Sequence, residues 1–456
     1  MSYSVFYKLS RCLADMRIVP SSRLLFWTAI LFLPMMGWAV SGASTAGVAL
    51  LLLLVFVLVV VVDVSLAANR ALPRAEFAKD MRLIRGVTDQ IEIHLEQASP
   101  AALSVRLGLI LDPACEARPG IVRAKLPAAE RTTLNWDVHC DQRGEFPAHG
   151  VVCEMRSPIG FWDTRSTLEA DANIRVYPNL RHDRKRIAAT FMRQNGYGQK
   201  LQRQIGQGRE FEQLREYLPG DSYDEIHWKG TAKRGFPITK IFQIERTQEI
   251  YVLIDTSRLL SRPCADADEP ILERYINAAL LLAMVTERTG DLLGVMTFSD
   301  SVHTFLRAGG GHGHFLTCRE ALYDAQPRQV SPDFGEMASF IRTRLRRRAL
   351  LLVLTCLDDP VLAESYYDSI RLLNRQHLVV TCAVSPDSAH PLFAGPELTK
   401  ASDLYGELSA HLRWQKVQEL RVQLRAIGVN LQTLSAHDTC TDLVSVYMNI
   451  KQRQAL

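Results

Sequence analysis

Two stretches of this sequence carry residue types that do chemistry. The first is Arg215-Glu216-Tyr217-Leu218-Pro219-Gly220-Asp221, followed by Ile226-His227-Trp228-Lys229. Asp221, His227 and Lys229 are acid–base types, and Arg215 and Glu216 together offer an ion pair. The second opens at Asp255-Thr256-Ser257, where a carboxylate and a hydroxyl stand two residues apart at the end of an apolar run. Oxygen donors of this kind suit a hard octahedral cation such as magnesium. Neither stretch is accompanied by a nucleophile elbow, a zincin motif or a P-loop G-x-x-x-x-G-K-[ST], so any ATP hydrolysis would have to come from a partner.

The elements that position the first stretch follow from its punctuation. Pro219-Gly220 is a turn dipeptide, since Pro fixes φ and Gly accepts the positive φ of a tight reversal. Ser222 and Glu225 stand at capping-box spacing. Lys233 and Arg234 suit the last turn of the helix that follows, and Gly235 suits a left-handed cap. The spacing predicts a helix of about three turns. On it His227 and Thr231 share one face and Trp228 and Ala232 another, as in a small helix docked between domains. Asp221 reads equally as a cap or turn carboxylate. Interdomain structure or partner docking therefore stands ahead of catalysis for this stretch.

The second stretch sits in a regular alternation. Ile250–Ile254 opens it as a strand, then Glu269–Thr289 reads as helix, Leu292–Phe298 as strand and Val302–Leu306 as its antiparallel neighbour. Helices at Gly313–Ala325 and Phe334–Arg347 precede a strand at Ala349–Leu354. A helix at Pro360–Arg375, a strand at His377–Val384, a helix near Asp403–Ile427, a strand at Val429–Leu434 and a last helix from Thr441 complete it. Branched apolar strands alternating with helices specify a mostly parallel, doubly wound sheet covered on both faces. Ligands of such sheets bind at the carboxyl ends of the strands, so the loops after Ile254, Leu306 and Leu354 are expected to converge. They carry Asp255 and Ser257, the run Gly309-Gly310-Gly311-His312-Gly313-His314, and Asp358 beside Asp359.

Toward the amino terminus the pattern changes twice. Leu24–Val40 and Val48–Ala67 are apolar apart from Asp63, joined by an uncharged small-residue turn, and read as a transmembrane hairpin in the lipid bilayer. A cleaved signal peptide is the competing account of the first run. Lys8, Arg11, Arg17 and Arg23 precede the hairpin and Arg70, Arg74, Lys79, Arg82 and Arg85 follow it. By the positive-inside rule both termini and the soluble body then face the cytoplasm. Asp63, one turn from the interface, is expected to reach water. From Gln90 to about Val176 short runs alternate with period two, which argues an antiparallel sandwich of about seven strands, immunoglobulin-like. Phe161 and Trp162 read as packing. Arg181–Gln207 is basic and lacks a wide apolar face, and it reads as a linker able to lie on anionic headgroups. Arg342, Arg344, Arg346, Arg347 and Arg348 close a helix, as a solvated end or a contact for phosphates or an acidic partner.

The motif at Arg215–Lys229, with Ala232, resembles the signature of the domain of unknown function 58 family, a bacterial group of membrane-anchored proteins. Arg156-Ser157-Pro158-Ile159-Gly160-Phe161 and Val176-Tyr177-Pro178-Asn179 are similar to that family's upstream landmarks. The resemblance, over roughly residues 70–300, implies a β-rich domain, the signature and then a von Willebrand factor A-like domain. It implies no reaction. It does imply a partner, a MoxR-type AAA+ ATPase, and a role in assembling or maturing other complexes. Within such a domain Asp255-Thr256-Ser257 looks like the start of a metal-ion-dependent adhesion site, D-x-S-x-S with a Thr and an Asp from two further loops. Here Leu259 replaces the second serine and the glycine-rich loop offers no hydroxyl, while Asp358 is kept. Asp255, Ser257 and Asp358 are thus a reduced set for Mg2+. His312 and His314 would favour a transition metal instead, and Asp255 as a helix cap needs no metal.

The rest of the composition excludes more than it selects. Among 456 residues a net charge of +4 with 22% charged residues gives no nucleic-acid signal. Nine cysteines without a C-x-x-C pair suit reduced, buried thiols of a cytosolic body. The expected organisation is a tail and two transmembrane helices over 1–68, an immunoglobulin-like domain over 69–180, a basic linker and signature over 181–248, and a von Willebrand A-like α/β domain over 249–456. The expected function is a non-enzymatic, membrane-anchored adaptor of the bacterial inner membrane. A metal-assisted hydrolase and a structural cell-envelope protein are the alternatives.

Overall fold

The structure is a computed structural model. It describes residues 17–453 apart from 42–45, 79, 98–101, 129, 196–204, 219–222, 224–225, 244–247, 265–266, 385–388, 393 and 395–400. The chain divides into two compact units, Met1–Asn179 and Leu180–Leu456.

The first unit begins with β1 (Arg17–Pro20), α1 (Ser22–Ser41) and α2 (Ala46–Ala68). Within α2, Leu50–Ala68 is long and apolar enough to cross a membrane, and only 11% of it is buried, unlike the core helix of a soluble domain. The described side chains of α1 form a shorter apolar stretch, Ser22–Leu31. Of the two expected spans, one is therefore present at spanning length among the described residues. Nine strands follow: β2 (Arg74–Phe77), β3 (Asp80–Ile84), β4 (Thr88–Glu96), β5 (Leu103–Ile110), β6 (Cys115–Arg118), β7 (Val122–Leu126), β8 (Arg131–Cys140), β9 (Gly144–Arg156) and β10 (Trp162–Tyr177). They form one sheet in the order β1-β10-β9-β5-β7, with β3 also beside β10, and a second in the order β2-β4-β8-β6. Alternation sets the inner faces: Ile91, Ile93 and Leu95 of β4 and Leu103, Val105 and Leu107 of β5 enter one core with Trp136, Ile174 and Val176. β10 escapes the apolar pattern because its sequence is largely polar and it joins the sheet through long pairing with β9.

Two expectations for this unit are corrected. Cys115 and Cys140 lie directly opposite each other on β6 and β8 and form a disulfide. Reduced thiols therefore do not describe this pair, whereas Cys153, Cys264, Cys318, Cys356, Cys382 and Cys440 are free and buried. Asp63 of α2, expected to reach water, is fully buried.

The second unit opens with α3 (Arg181–Asn195), where a linker was expected. Ile187 enters the α/β core and Arg186 bonds the His437 carbonyl and the Asp438 side chain. A helix held by one buried isoleucine and an ion pair has no apolar stripe, which is why its periodicity did not reveal it. Next come β11 (Ile205–Glu216), α4 (Trp228–Arg234) and β12 (Ile238–Gln243), with β11 and β12 paired antiparallel.

The α/β body comprises β13 (Glu249–Asp255), the small pair β14 (Pro263–Cys264) and β15 (Ala267–Pro270), α5 (Ile271–Thr289), β16 (Leu292–Phe298), β17 (Val302–Gly309) and α6 (His312–Leu322). It continues through α7 (Phe334–Arg344), β18 (Leu350–Leu354), α8 (Pro360–Leu373), β19 (Leu378–Val384), α9 (Ala401–Ala426), β20 (Asn430–Leu434) and α10 (Thr439–Gln452). The main sheet runs β17-β16-β13-β18-β19-β20, parallel except for the antiparallel edge strand β17. Side chains of β13 alternate between two cores. Ile250, Val252 and Ile254 pack with α5 and α10, while Tyr251 and Leu253 pack with α7, α8 and α9. Burial on both faces explains the unbroken apolar strands. One antiparallel edge on such a sheet is the arrangement expected of a von Willebrand A-like domain.

Candidate functional site

At the carboxyl end of β13, Asp255 is fully buried. Its Oδ1 accepts from the Ser257 amide at 2.8 Å and its Oδ2 from the Thr355 hydroxyl at 2.7 Å. Burial pushes the Asp255 carboxyl above the usual range, opposed by the Thr355 hydroxyl and by the amide and hydroxyl of Ser257. The Ser257 hydroxyl has no well-aligned hydrogen bond, yet it lies close enough to that carboxyl to help hold it down. Beneath them the Tyr275 hydroxyl donates to the Thr355 carbonyl at 3.1 Å and accepts from the Val384 amide at 2.9 Å. One carboxyl thus ties β13 to β18, and Tyr275 ties both to α5 and β19. Sequence reading missed Thr355 and Tyr275. The position of Thr355, immediately after strand β18, was the signal available, because topology alone puts that residue at the carboxyl end.

The two aspartates after β18 separate in role. Asp359 caps α8, its Oδ1 accepting from the Val361 amide at 2.9 Å. Asp358 Oδ2 instead pairs with Arg262 Nη1 at 3.1 Å. The Asp358 carboxylate also lies against the Cys356 thiol, which burial pushes well up, with Asp358 adding to the rise and Arg262 opposing it.

The third expected loop is not at this end. Because β17 runs antiparallel to β16, Gly309 pairs with Leu293, at the amino end of β16. The run Gly309–His314 therefore lies at the opposite end of the sheet from Asp255. There His314 Nε2 meets the Leu293 carbonyl at 2.6 Å and His312 stacks on Phe315. The segment over the carboxyl end is 326–333: Arg328 N donates to the Thr256 carbonyl, Arg258 N to Val330 and Asp333 N to Ser299. Beside it the Ser299 hydroxyl donates to Asp300 at 2.7 Å and sits 2.6 Å from His303 Nε2. Burial, then Arg328, depresses the basicity of His303.

These residues do not fit a magnesium ion. Both oxygens of Asp255 are engaged, Leu259 is buried where a second serine would stand, and Arg262 supplies the positive charge for Asp358. A hard cation needs several free oxygen donors, and no cluster of three His, Cys, Asp or Glu side chains suited to a metal occurs among the described residues.

The signature residues form a different kind of site. Gly220 and Asp221, with Ser222 and Glu225 of the expected capping box, lie outside the described residues. The helix α4 is shorter than expected and is capped by His227. His227 Nδ1 accepts from the Gly230 amide at 3.1 Å and its own amide donates to the Ile238 carbonyl at 2.8 Å. A side chain on Gly230 would meet that ring nitrogen at 2.6 Å and would displace the ring from its cap. Gly235 ends the helix at φ 78°, as expected. The Thr231 hydroxyl accepts from Ile238 N at 3.1 Å, and Tyr217 N donates to Pro237. His227 and Thr231 are thus spent on structure, while Arg215 and Glu216 are consecutive on β11 and project from opposite faces. What remains is apolar and exposed: Trp228 is 68% accessible and Tyr223, stacked on Tyr217, is 75% accessible, with Leu218 and Phe236 also exposed. Lys229 and Lys233 flank Trp228 in the open. In the arginine cluster, α7 stops at Arg344, whose guanidinium lies 5.6 Å from the Phe340 ring centroid.

Comparison with known proteins finds similarity over part of the chain. Residues 213–397 match the family model described as protein of unknown function DUF58. The uncharacterized protein Rv1480 of Mycobacterium tuberculosis (strain ATCC 25618 / H37Rv) is 23% identical over 181 residues, covering 39% of this chain and 56% of that protein. The uncharacterized protein YeaD of Bacillus subtilis (strain 168) is 23% identical over 167 residues, or 35% of this chain and 37% of that protein. The chain thus spans about half or less of the length of these relatives. Among solved structures, an aerotolerance-related membrane protein from Bacteroides fragilis is 13% identical with a TM-score of 0.28, covering 45% of this chain and 99% of that one. BatB from Bacteroides thetaiotaomicron is 12% identical with a TM-score of 0.24, covering 40% and 98%.

Proposed function

We propose, on the premise that residues 213–397 are a DUF58 segment, that this chain is a membrane-associated protein-interaction module and not an enzyme. The observation that carries the reading is the exposed apolar group of the signature, with Trp228 on the short helix and Leu218, Tyr223 and Phe236 in the segments before and after it, while His227 and Thr231 are already engaged in fastening that helix. Aromatic side chains raised on a fixed backbone are what a protein partner buries at the centre of an interface. The partner is a MoxR-type AAA+ ATPase, which supplies the nucleotide hydrolysis this sequence lacks. The client complexes are assembled or matured by that ATPase, with the von Willebrand A-like body as scaffold.

The anchor is a helical hairpin in the bacterial inner membrane, and the two-sheet unit is an immunoglobulin-like sandwich on its cytoplasmic side. Arg23 before the apolar helices and Arg70, Arg74, Arg82 and Arg85 after them support that orientation. The Cys115–Cys140 disulfide is the observation that weighs against it, because disulfides persist in oxidising compartments. The deciding experiment is capture of the purified ATPase by the full chain in detergent. Capture that survives chelation of magnesium and is lost in Trp228→Ala supports the reading. Capture unchanged in Trp228→Ala removes the signature as the docking surface, and no capture at all removes the partner.

A further inference from the structure

The first unit holds a turn closed around a carboxylate of α2. Ser157–Trp162 runs alongside α2, and Asp63 sits at its centre. Asp63 Oδ2 accepts from the Ser157 hydroxyl at 2.6 Å and the Phe161 amide at 3.1 Å, and Oδ1 accepts from the Ile159 amide at 3.0 Å. The Ser157 oxygen accepts in turn from the Gly160 and Trp162 amides, at 3.1 and 3.0 Å. The Ser157 amide donates to the Trp162 carbonyl at 2.8 Å, and Pro158 has no amide proton. Every backbone N–H from Ser157 to Trp162 is thus satisfied inside the protein. Ser21 completes the turn, its hydroxyl and amide donating to the carbonyls of Gly160 and Phe161.

A surface loop in water has no need of such closure, because water satisfies its amides. In hydrocarbon, full internal satisfaction is obligatory. The depth agrees. Phe161 packs on Phe56 at a ring-centroid distance of 5.9 Å, and Trp162 Nε1 donates to the Val60 carbonyl at 3.3 Å. Val60 and Phe56 lie roughly 12 and 18 Å along the helix from its end at Ala68. Around the same turns of α2, Val57, Leu58, Val61, Val62 and Leu66 are exposed. Any lipid that covers those side chains also reaches the turn, whose tip presents Pro158 and Ile159 outward. Arg23 and Arg156 both approach Gly160, and Arg70 Nη1 donates to the Arg156 carbonyl at 3.1 Å. They place cations beside a tryptophan, the residue pairing of a membrane interface.

Resting on the membrane association proposed above, we infer that Ser157–Trp162 is a lipid-inserted turn of the two-sheet unit, with Asp63 as the positioning residue that holds it against α2. The unit is then seated in the bilayer surface at a fixed angle and is not swung from a tether.

The test places an environment-sensitive probe on single cysteines in the full chain, carrying Cys12→Ser, in vesicles of phosphatidylcholine with phosphatidylglycerol. The sites are Ile159→Cys at the tip, Leu58→Cys on α2 and Ile121→Cys on the far body, and the quencher is a lipid spin-labelled at a shallow acyl position. The expected result is strong quenching with a blue-shifted emission at 58 and at 159, and neither at 121. Quenching at 58 while 159 behaves like 121 overturns the inserted turn and leaves membrane association standing. Absence of quenching at 58 overturns both. With Asp63→Asn, a probe at 159 loses much of its lipid quenching while one at 58 keeps it. Retention at both sites overturns the role of Asp63.

Discussion

The carboxyl end of the parallel sheet and the signature helix α4 use polar and apolar residues in opposite ways. At the sheet end, Asp255, Thr355 and Tyr275 are buried and bond to one another and to backbone, so little is left to offer a ligand. At α4, His227 and Thr231 are likewise used to cap and fasten the helix, but Trp228, and Tyr223 ahead of it, project into solvent beside exposed lysines. Residue types alone offered both regions, the sheet end as a reduced metal site and the signature as a docking or interdomain surface. Their partners point to the second, because a buried carboxyl with satisfied oxygens serves the fold, while an exposed aromatic on a fixed backbone serves a neighbour.

The largest effect that sharpens this contrast is in the sheet. Asp255→Ala leaves the Ser257 amide and Thr355 hydroxyl without their acceptor and is expected to cost about 3 kcal/mol of unfolding free energy, measured by denaturant titration of the full chain in detergent. The carboxyl of Asp255 has a folded pKa raised by burial, so its contribution is present at acid pH and is lost as pH rises through that folded value. Asp255→Asn, which keeps the shape without the charge, should flatten this pH dependence and cost less than alanine. Equal losses for both variants at every pH would show that the carboxyl is not held as a structural group.

Next comes Trp228→Ala, expected to weaken capture of the proposed ATPase by about 2 kcal/mol, a roughly thirtyfold loss of affinity, while the unfolding midpoint moves within its error. A drop in stability as large as the drop in binding would make Trp228 a packing residue instead. Gly235→Ala is smaller, about 1 kcal/mol, because an L side chain is strained at φ 78°. Fraying of α4 should appear as faster amide exchange at Thr231–Gly235. The smallest effect is that of magnesium, for which calorimetry should find no saturable heat at the sheet end. A saturable site lost in Asp358→Ala would break the comparison, since it would mean that Arg262 yields its place to a cation.

Much of the α/β body was legible in the residues. The strands Leu292–Phe298 and Val429–Leu434 and the helix ending at Thr289 were located closely, because a fully buried strand needs an unbroken apolar run and a helix end needs a Gly such as Gly290. The polar strand β10 and the helix α3 were not legible, since β-pairing and a single buried isoleucine leave no periodic trace. The expected convergence of three loops failed on one point of topology. Loop Gly309–His314 follows the antiparallel strand, and reversal of one strand moves its loop to the other end of the sheet.

The sequence by itself determined which segments are apolar, which alternate and where the turns fall, because these depend on local chemistry and the periods of helix and strand. It also determined the signature motif, because identity and spacing are written along the chain. Only the tertiary structure decided the partners of each polar group: Asp255 with Thr355 a hundred residues away, Asp358 with Arg262, Cys115 with Cys140 and Asp63 with the Ser157 turn. A buried charge or hydroxyl takes its meaning from the atoms within about 3 Å of it, and which atoms those are is fixed by the packing of distant elements.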